Sequence, residues 1–191
     1  MAMEDCFAIL GLPRSAALDQ ETLHKAYAEK SRAAHPDHDG NDEKAAEVNA
    51  AYATLKTPEK RLKHVLEVAA PDDAKAWRTV PMDEPMMELF LQLGKTLDLS
   101  AKFLEKKNKT QSALGKALLA NEEMQQRETL ESIGFEIEKQ RVDLEARLPA
   151  LDEAIQCADE AAWKQVALAQ ARFAYLGKWQ TQVRERLLAL M

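Results

Sequence analysis

Four histidines, His24, His35, His38 and His64, all fall in the first third of the chain. Two of them stand in one polar stretch with Asp37, Asp39 and Asp42. Imidazoles and carboxylates gathered this way are the raw material of a metal site, but the spacing argues against one. No two histidines lie four apart on a helix, and Cys6 and Cys157 are too far apart to form a CxxC pair, so a tetrahedral zinc set is not assembled. A calcium loop needs ligands at alternating positions, glycine at the sixth and glutamate at the twelfth. Counting from Asp37, Gly40 falls fourth, Asp42 sixth and Val48 twelfth. The serines and cysteines lie in no glycine-rich elbow, no glycine loop is built to cradle phosphate, and no titratable pair is placed for acid–base work. Neither metal, cofactor nor catalysis is therefore expected. What remains is the tripeptide His35-Pro36-Asp37. Its proline fixes a turn, and its carboxylate can accept a charge-assisted hydrogen bond from a partner's arginine.

Those residues have to be held by helices. Residues 4–10 read as a short apolar turn or helix ended by Gly11 and Pro13. Asp19 reads as an N-cap for a helix over Gln20–Ala34, in which Leu23, Tyr27 and Ser31 share one face. Lys25, Lys30 and Arg32 point elsewhere and make a locally basic side, unless they are simply a solvated face. Pro36 ends this helix, because proline disfavours helical geometry in the residue before it. A second helix over Asp42–Leu55 carries Ala45, Val48, Tyr52 and Leu55 at helical spacing, and the two make an antiparallel hairpin. A short helix with Leu62, Val65 and Leu66 follows Pro58. Beyond a linker near Pro71, three long apolar seams follow: Met86, Phe90, Leu93, Leu97 and Leu104; Leu130, Ile133, Ile137, Leu144 and Leu148; and Ala162 through Leu190 by way of Val166, Phe173 and Val183. Three seams suggest an antiparallel three-helix bundle. The middle segment, about Thr110 to Leu148, has Gly115 and Gly134 as places to break or bend.

Composition agrees. In 191 residues, 46% are hydrophobic and only 6% aromatic, with six glycines, which favours an all-α chain with an aliphatic core. Charged residues interrupt every apolar run before it reaches bilayer length, so no membrane span is expected. The net charge is −6, split as −3 on each side of residue 70, and offers no basic footprint for nucleic acid. Glu4 and Asp5 stand where a signal peptide would carry positive charge, so a cytoplasmic location with two reduced thiols is expected.

His35-Pro36-Asp37 between a helix with a basic side and a second amphipathic helix resembles the J-domain, the module that activates chaperone ATPases of the DnaK type. The resemblance implies that His35, Pro36 and Asp37 carry the signal and that Lys25, Lys30 and Arg32 dock on the acidic chaperone. Asp5 through Pro13, then Leu18-Asp19, then Val48 through Pro58 resemble the HscB type in particular. Those are co-chaperones of iron–sulfur cluster biogenesis that join a J-domain to a C-terminal helical bundle. The resemblance implies a J-domain over 1–68, a linker over 69–84 and, over 85–191, a helical bundle that serves oligomerisation or scaffold binding. It also implies two partners, a DnaK/HscA-type ATPase and the iron–sulfur cluster scaffold protein.

In the bundle, Met124 through Ile133 resembles the segment that holds the scaffold, which points to Met124, Arg127 and Glu128. Trp163 with Arg172 and Phe173 resembles the last helix, where the family places an aromatic contact. Ala120, Asn121 and Gln125 depart from that pattern. A second register puts Met86, Met87, Leu89 and Phe90 in the same role, with Met87 the candidate contact; a methionine cluster suits an adaptable apolar surface. Met86, Phe90 and Phe173 also lie on packing seams, so core roles compete for them. A general J-domain co-chaperone, whose bundle binds a different client or dimerises, is the alternative reading, and a structural bundle with a vestigial hairpin is a third.

Overall fold

The computed structural model describes residues 4–34, 41–70, 82–156 and 160–191. Among these there are eight helices: α1 (Cys6–Leu10), α2 (Gln20–Ala34), α3 (Asp42–Leu55), α4 (Pro58–Ala69), α5 (Glu84–Lys109), α6 (Ala113–Glu145), α7 (Leu148–Gln156) and α8 (Glu160–Ala189). No described residue is in a strand, and no described helix is long and apolar enough to cross a membrane. His35, Pro36 and Asp37, and residues 71–81 of the expected linker, lie outside the described residues.

Local chemistry sets the helix ends. Asp5 caps α1 by accepting from the Phe7 N–H, and Gly11 closes it at φ 69°, a left-handed conformation that suits a residue without Cβ. Asp19 accepts from the Thr22 N–H at 2.8 Å and so starts α2 as expected. Asn41 does the same for α3 through the Lys44 N–H, also at 2.8 Å. Pro58 sits in the first turn of α4, where its missing N–H costs nothing. Asp83 caps α5. Ser112 accepts from the Gly115 N–H at the start of α6, which then runs unbroken through both Gly115 and Gly134.

The Asp5 cap has a pH signature. Partial burial raises its pKa, but hydrogen bonds from the Arg14 guanidinium and the Phe7 N–H outweigh that, and the carboxyl sits below its ordinary value of 3.8. A depressed carboxyl adds stability above the unfolded-state pKa and loses it as pH falls through the folded-state pKa. Asp5→Asn should therefore lower the urea midpoint at pH 7, and the gap to the parent should close as pH falls through the folded-state pKa, which lies below 3.8. A gap of equal size above and below that pKa would show that the charge is not involved.

Contacts divide the chain into two compact units that do not follow chain order: Met1–Val80 with Leu144–Phe173, and Pro81–Asp143 with Ala174–Met191. The boundaries read from the sequence, by contrast, were contiguous. In the first unit, Phe7, Leu10, Leu23, Val48, Leu55 and Val65 form one core, and Trp163 of α8 is part of it. Polar groups complete this unit. Asp152 of α7 accepts from the Ser15 hydroxyl at 2.6 Å, from the Ala17 N–H at 3.1 Å and from the Ala16 N–H. Buried Arg61 donates to the carbonyls of Ala16 and Leu55, each at 2.9 Å. Burial pulls its pKa down while Glu145 and Asp152 hold it up. His64, also buried, accepts the Cys6 N–H on Nε2 at 2.9 Å and stacks on Phe7.

The second unit is an up-down-up bundle. Lys106 and Lys107 of α5 pair with Glu122 and Glu123 of α6 at 2.6 and 2.8 Å, close to the turn between them, so these helices run antiparallel. Phe90 meets Trp179, and Lys107 reaches the carbonyl of Leu190, so the end of α8 runs parallel to α5. The seam expected on α5 is corrected here. Met86 and Leu93 are buried, but the stripe continues through Leu89, Thr96, Ser100 and Phe103, leaving Phe90 exposed and Leu97 and Leu104 half-buried. Two polar residues in the stripe hid it from a count of apolar spacing, and Ser100 satisfies its hydroxyl on the Leu97 carbonyl at 3.0 Å.

Candidate functional site

The helices that precede and follow the tripeptide in sequence, α2 and α3, pack tightly on each other. Immediately before it, Ala34 ends α2 as a buried residue; just after it, the Asn41 cap starts α3. Leu23 of α2 packs with Val48, Ala51 and Leu55 of α3. On the wetter side of that seam, the rings of Tyr27 and Tyr52 stack with centroids 4.2 Å apart, and the Tyr27 hydroxyl donates to Asn49 at 2.8 Å. His24 meets the edge of Tyr52, and Lys56 stands over its face. Stacked aromatics across two helices fix their register.

The three cations expected on one basic side are not on one side. Lys25 and Arg32 are seven residues apart, so they share a face; Lys30 is turned about 140° from Lys25. Lys25 and Arg32 are exposed, with Lys25 paired to Glu21 at 2.6 Å and Arg32 bonded to the Ala28 carbonyl. Lys30 is half-buried and runs across the turn at Gly11, where an added Cβ would lie 3.4 Å from its Cε. Cation and loop anchor are thus one residue at Lys30, and Arg32 is the freer charge nearest the tripeptide. Among the described residues, no group of three His, Cys, Asp or Glu is placed to hold a metal ion.

In the bundle, the candidate residues fall in different environments. Met124 and Glu128 are exposed on α6 and Arg127 is half-buried. Met124 has no exposed large apolar neighbour one turn away in either direction. Met87 is exposed together with Phe90 and Leu91, and steps of three and four residues put these on one face of α5. Phe173 is corrected: at 4% exposure it packs in the interior, so it is not offered to a partner, and the same holds for Trp163. Sequence periodicity had Phe90 in the core; the exposed patch it forms with Met87 and Leu91 became visible only once the α5 stripe was known.

Comparison with known proteins fits this arrangement at two scales. A model of the DnaJ domain matches residues 5–64. Residues 5–64 are a DnaJ domain. The DnaJ domain therefore includes His35, Pro36 and Asp37 and the whole of α2 and α3. Across 63 residues the chain is 46% identical to Chaperone protein DnaJ 2 of Thermus thermophilus, covering 31% of this chain and 22% of that protein. Across 67 residues it is 39% identical to Chaperone protein DnaJ of Listeria monocytogenes, covering 34% and 17%. The chain thus spans about a fifth of the length of these curated relatives. The region beyond the DnaJ domain is matched by structure. The chain is similar in fold to chaperone HscB from Vibrio cholerae, with a TM-score of 0.59 over 95% of this chain and 96% of that one, at 17% identity. The all-α architecture, a DnaJ domain with a helical bundle, is that fold.

Proposed function

We propose that the chain is a co-chaperone, without chemistry of its own, that stimulates ATP hydrolysis by a DnaK/HscA-type chaperone and brings a client to it. The observation that carries this reading is the DnaJ domain, which contains His35-Pro36-Asp37 between α2 and α3. In it, Asp37 offers the carboxylate, Pro36 restricts the loop and the Arg32 end of α2 supplies an electrostatic contact to an acidic partner surface. The client is the iron–sulfur cluster scaffold protein, with the cluster as cargo. The HscB-like fold supports this, as does the apolar patch of Met87, Phe90 and Leu91. A contiguous apolar patch buries area on binding, which an isolated Met124 does not. The DnaJ domain at 1–68 and the bundle at 85–191 are the working parts, and the setting is the cytoplasm.

Titration of the chain with a purified iron–sulfur cluster scaffold protein by isothermal calorimetry tests the client. Met87→Asp should weaken binding by about tenfold or more, with stimulation of a DnaK-type ATPase unchanged. No binding by the parent chain, with stimulation intact, would favour the general co-chaperone with another client.

A further inference from the structure

We propose that the groove between α6 and the last turns of α8 binds a free α-amino acid with a large apolar side chain. The groove lies wholly within the bundle unit and has a volume of 460 Å³, which is in the range of small-molecule sites. Its depth comes from Gly134, which places no side chain between the helices; a Cβ there would already lie 3.4 Å from Val183 Cγ1. Val183 and Leu187 line the hollow with apolar surface, and so does Phe135, whose ring is left 73% exposed. Covering that ring with another apolar group removes it from water, so a leucine- or phenylalanine-sized side chain is favoured over a small one.

The polar groups in the same lining select the rest of the ligand. Arg127 and Glu131 are one helical turn apart on α6, yet neither side chain makes an ion pair or hydrogen bond with a described residue. The same is true of Arg184 on α8. At the α5–α6 end of the bundle, by contrast, Lys106 and Lys107 are paired with Glu122 and Glu123. Gln180 Oε1 is also buried beside the groove with no donor. An orphaned acceptor costs its desolvation, which a donor arriving in the groove removes. A simple anion would satisfy the two arginines and leave Glu131 facing like charge, and a simple amine would do the reverse. An α-amino acid at neutral pH carries both charges around one carbon. Its carboxylate accepts from the Arg127 and Arg184 guanidiniums, its ammonium donates to Glu131 and Gln180, and its side chain enters the hollow over Gly134.

Isothermal calorimetry of the full chain with L-phenylalanine as the probe tests this. Binding should be saturable and one-to-one, with a Kd of about 1 mM or tighter. L-Phenylalaninamide lacks the carboxylate and N-acetyl-L-phenylalanine lacks the ammonium, so each should bind the parent at least about tenfold more weakly. Gly134→Leu fills the hollow with a better helix former and should abolish binding, with a retained urea transition showing that the bundle still folds. Glu131→Gln should bind free L-phenylalanine about tenfold more weakly, yet lose little further affinity for the N-acetyl compound, because both changes remove the same contact. A parent that takes up neither L-phenylalanine nor L-leucine overturns the proposal, including one that self-associates through this face instead. So does binding that a folded Gly134→Leu chain leaves intact, or an amide that binds as well as the free acid.

Discussion

Asp37→Asn should reduce stimulation of a DnaK-type ATPase to the unstimulated rate while leaving the fold intact. The substitution is nearly isosteric, so it tests charge rather than shape. A carboxylate accepts bonds from an arginine fork on both oxygens; an amide offers one oxygen and turns two N–H donors toward a guanidinium that has nothing to accept them. Hydrogen bonds to charged groups contribute about 1.5–3 kcal/mol, so the contact weakens about tenfold to hundredfold before the misplaced donors are considered. Steady-state ATP hydrolysis with and without the variant gives the answer, and an unchanged urea midpoint shows that α2 and α3 still pack. Stimulation equal to the parent's would remove His35-Pro36-Asp37 from the mechanism, whatever the bundle binds.

Arg61→Leu should destabilise the fold by about 3–5 kcal/mol. The leucine fits an apolar site, but two buried carbonyls, those of Ala16 and Leu55, lose their donors. The positive charge that faces Glu145 and Asp152 goes as well. Unsatisfied buried acceptors cost their full desolvation, and a carboxylate left without its cation adds to that. Urea denaturation should show a midpoint lower by about 1–2 M. Arg61→Lys should recover only part of the loss, since an ammonium lacks the planar fork that serves two carbonyls at once. A midpoint unmoved by Arg61→Leu would mean that solvent reaches these groups. Combining Arg61→Leu with Asp152→Asn should give less than the sum of the single losses, because the two residues meet at Ala16.

Much of the fold was legible because its signals are local. Asp19 and Pro58 mark helix ends by chemistry confined to one turn, and α2 and α3 run as their periodicity demands. The second and third seams, from Leu130 to Leu148 and from Ala162 to Leu190, are buried nearly throughout, because their apolar residues occupy one stripe and polar ones the rest. On α5 apolar residues occur on several sides, so more than one stripe fits the spacing, and the buried one passes through Thr96 and Ser100. The site was legible only in part. His35-Pro36-Asp37 is a sequence motif, but the separation of Lys30 from Lys25 and Arg32 follows from helix geometry and from the turn at Gly11. Asp152 carries no sequence signal at all, since its partners Ser15, Ala16 and Ala17 are more than a hundred residues away.

That distance has a consequence for how the protein is made. The unit containing the DnaJ domain is completed by Leu144–Phe173, so its last pieces leave the ribosome after the whole of α5 and α6. At typical synthesis rates of about 5–20 residues per second, roughly 5–20 s separate Val80 from Phe173. Through that interval the seat of Trp163 stands open, the Ser15–Ala17 loop lacks its carboxylate and Arg61 faces neither Glu145 nor Asp152. A nascent chain in this state exposes apolar surface that the finished unit buries, so it is open to aggregation until Phe173 has emerged.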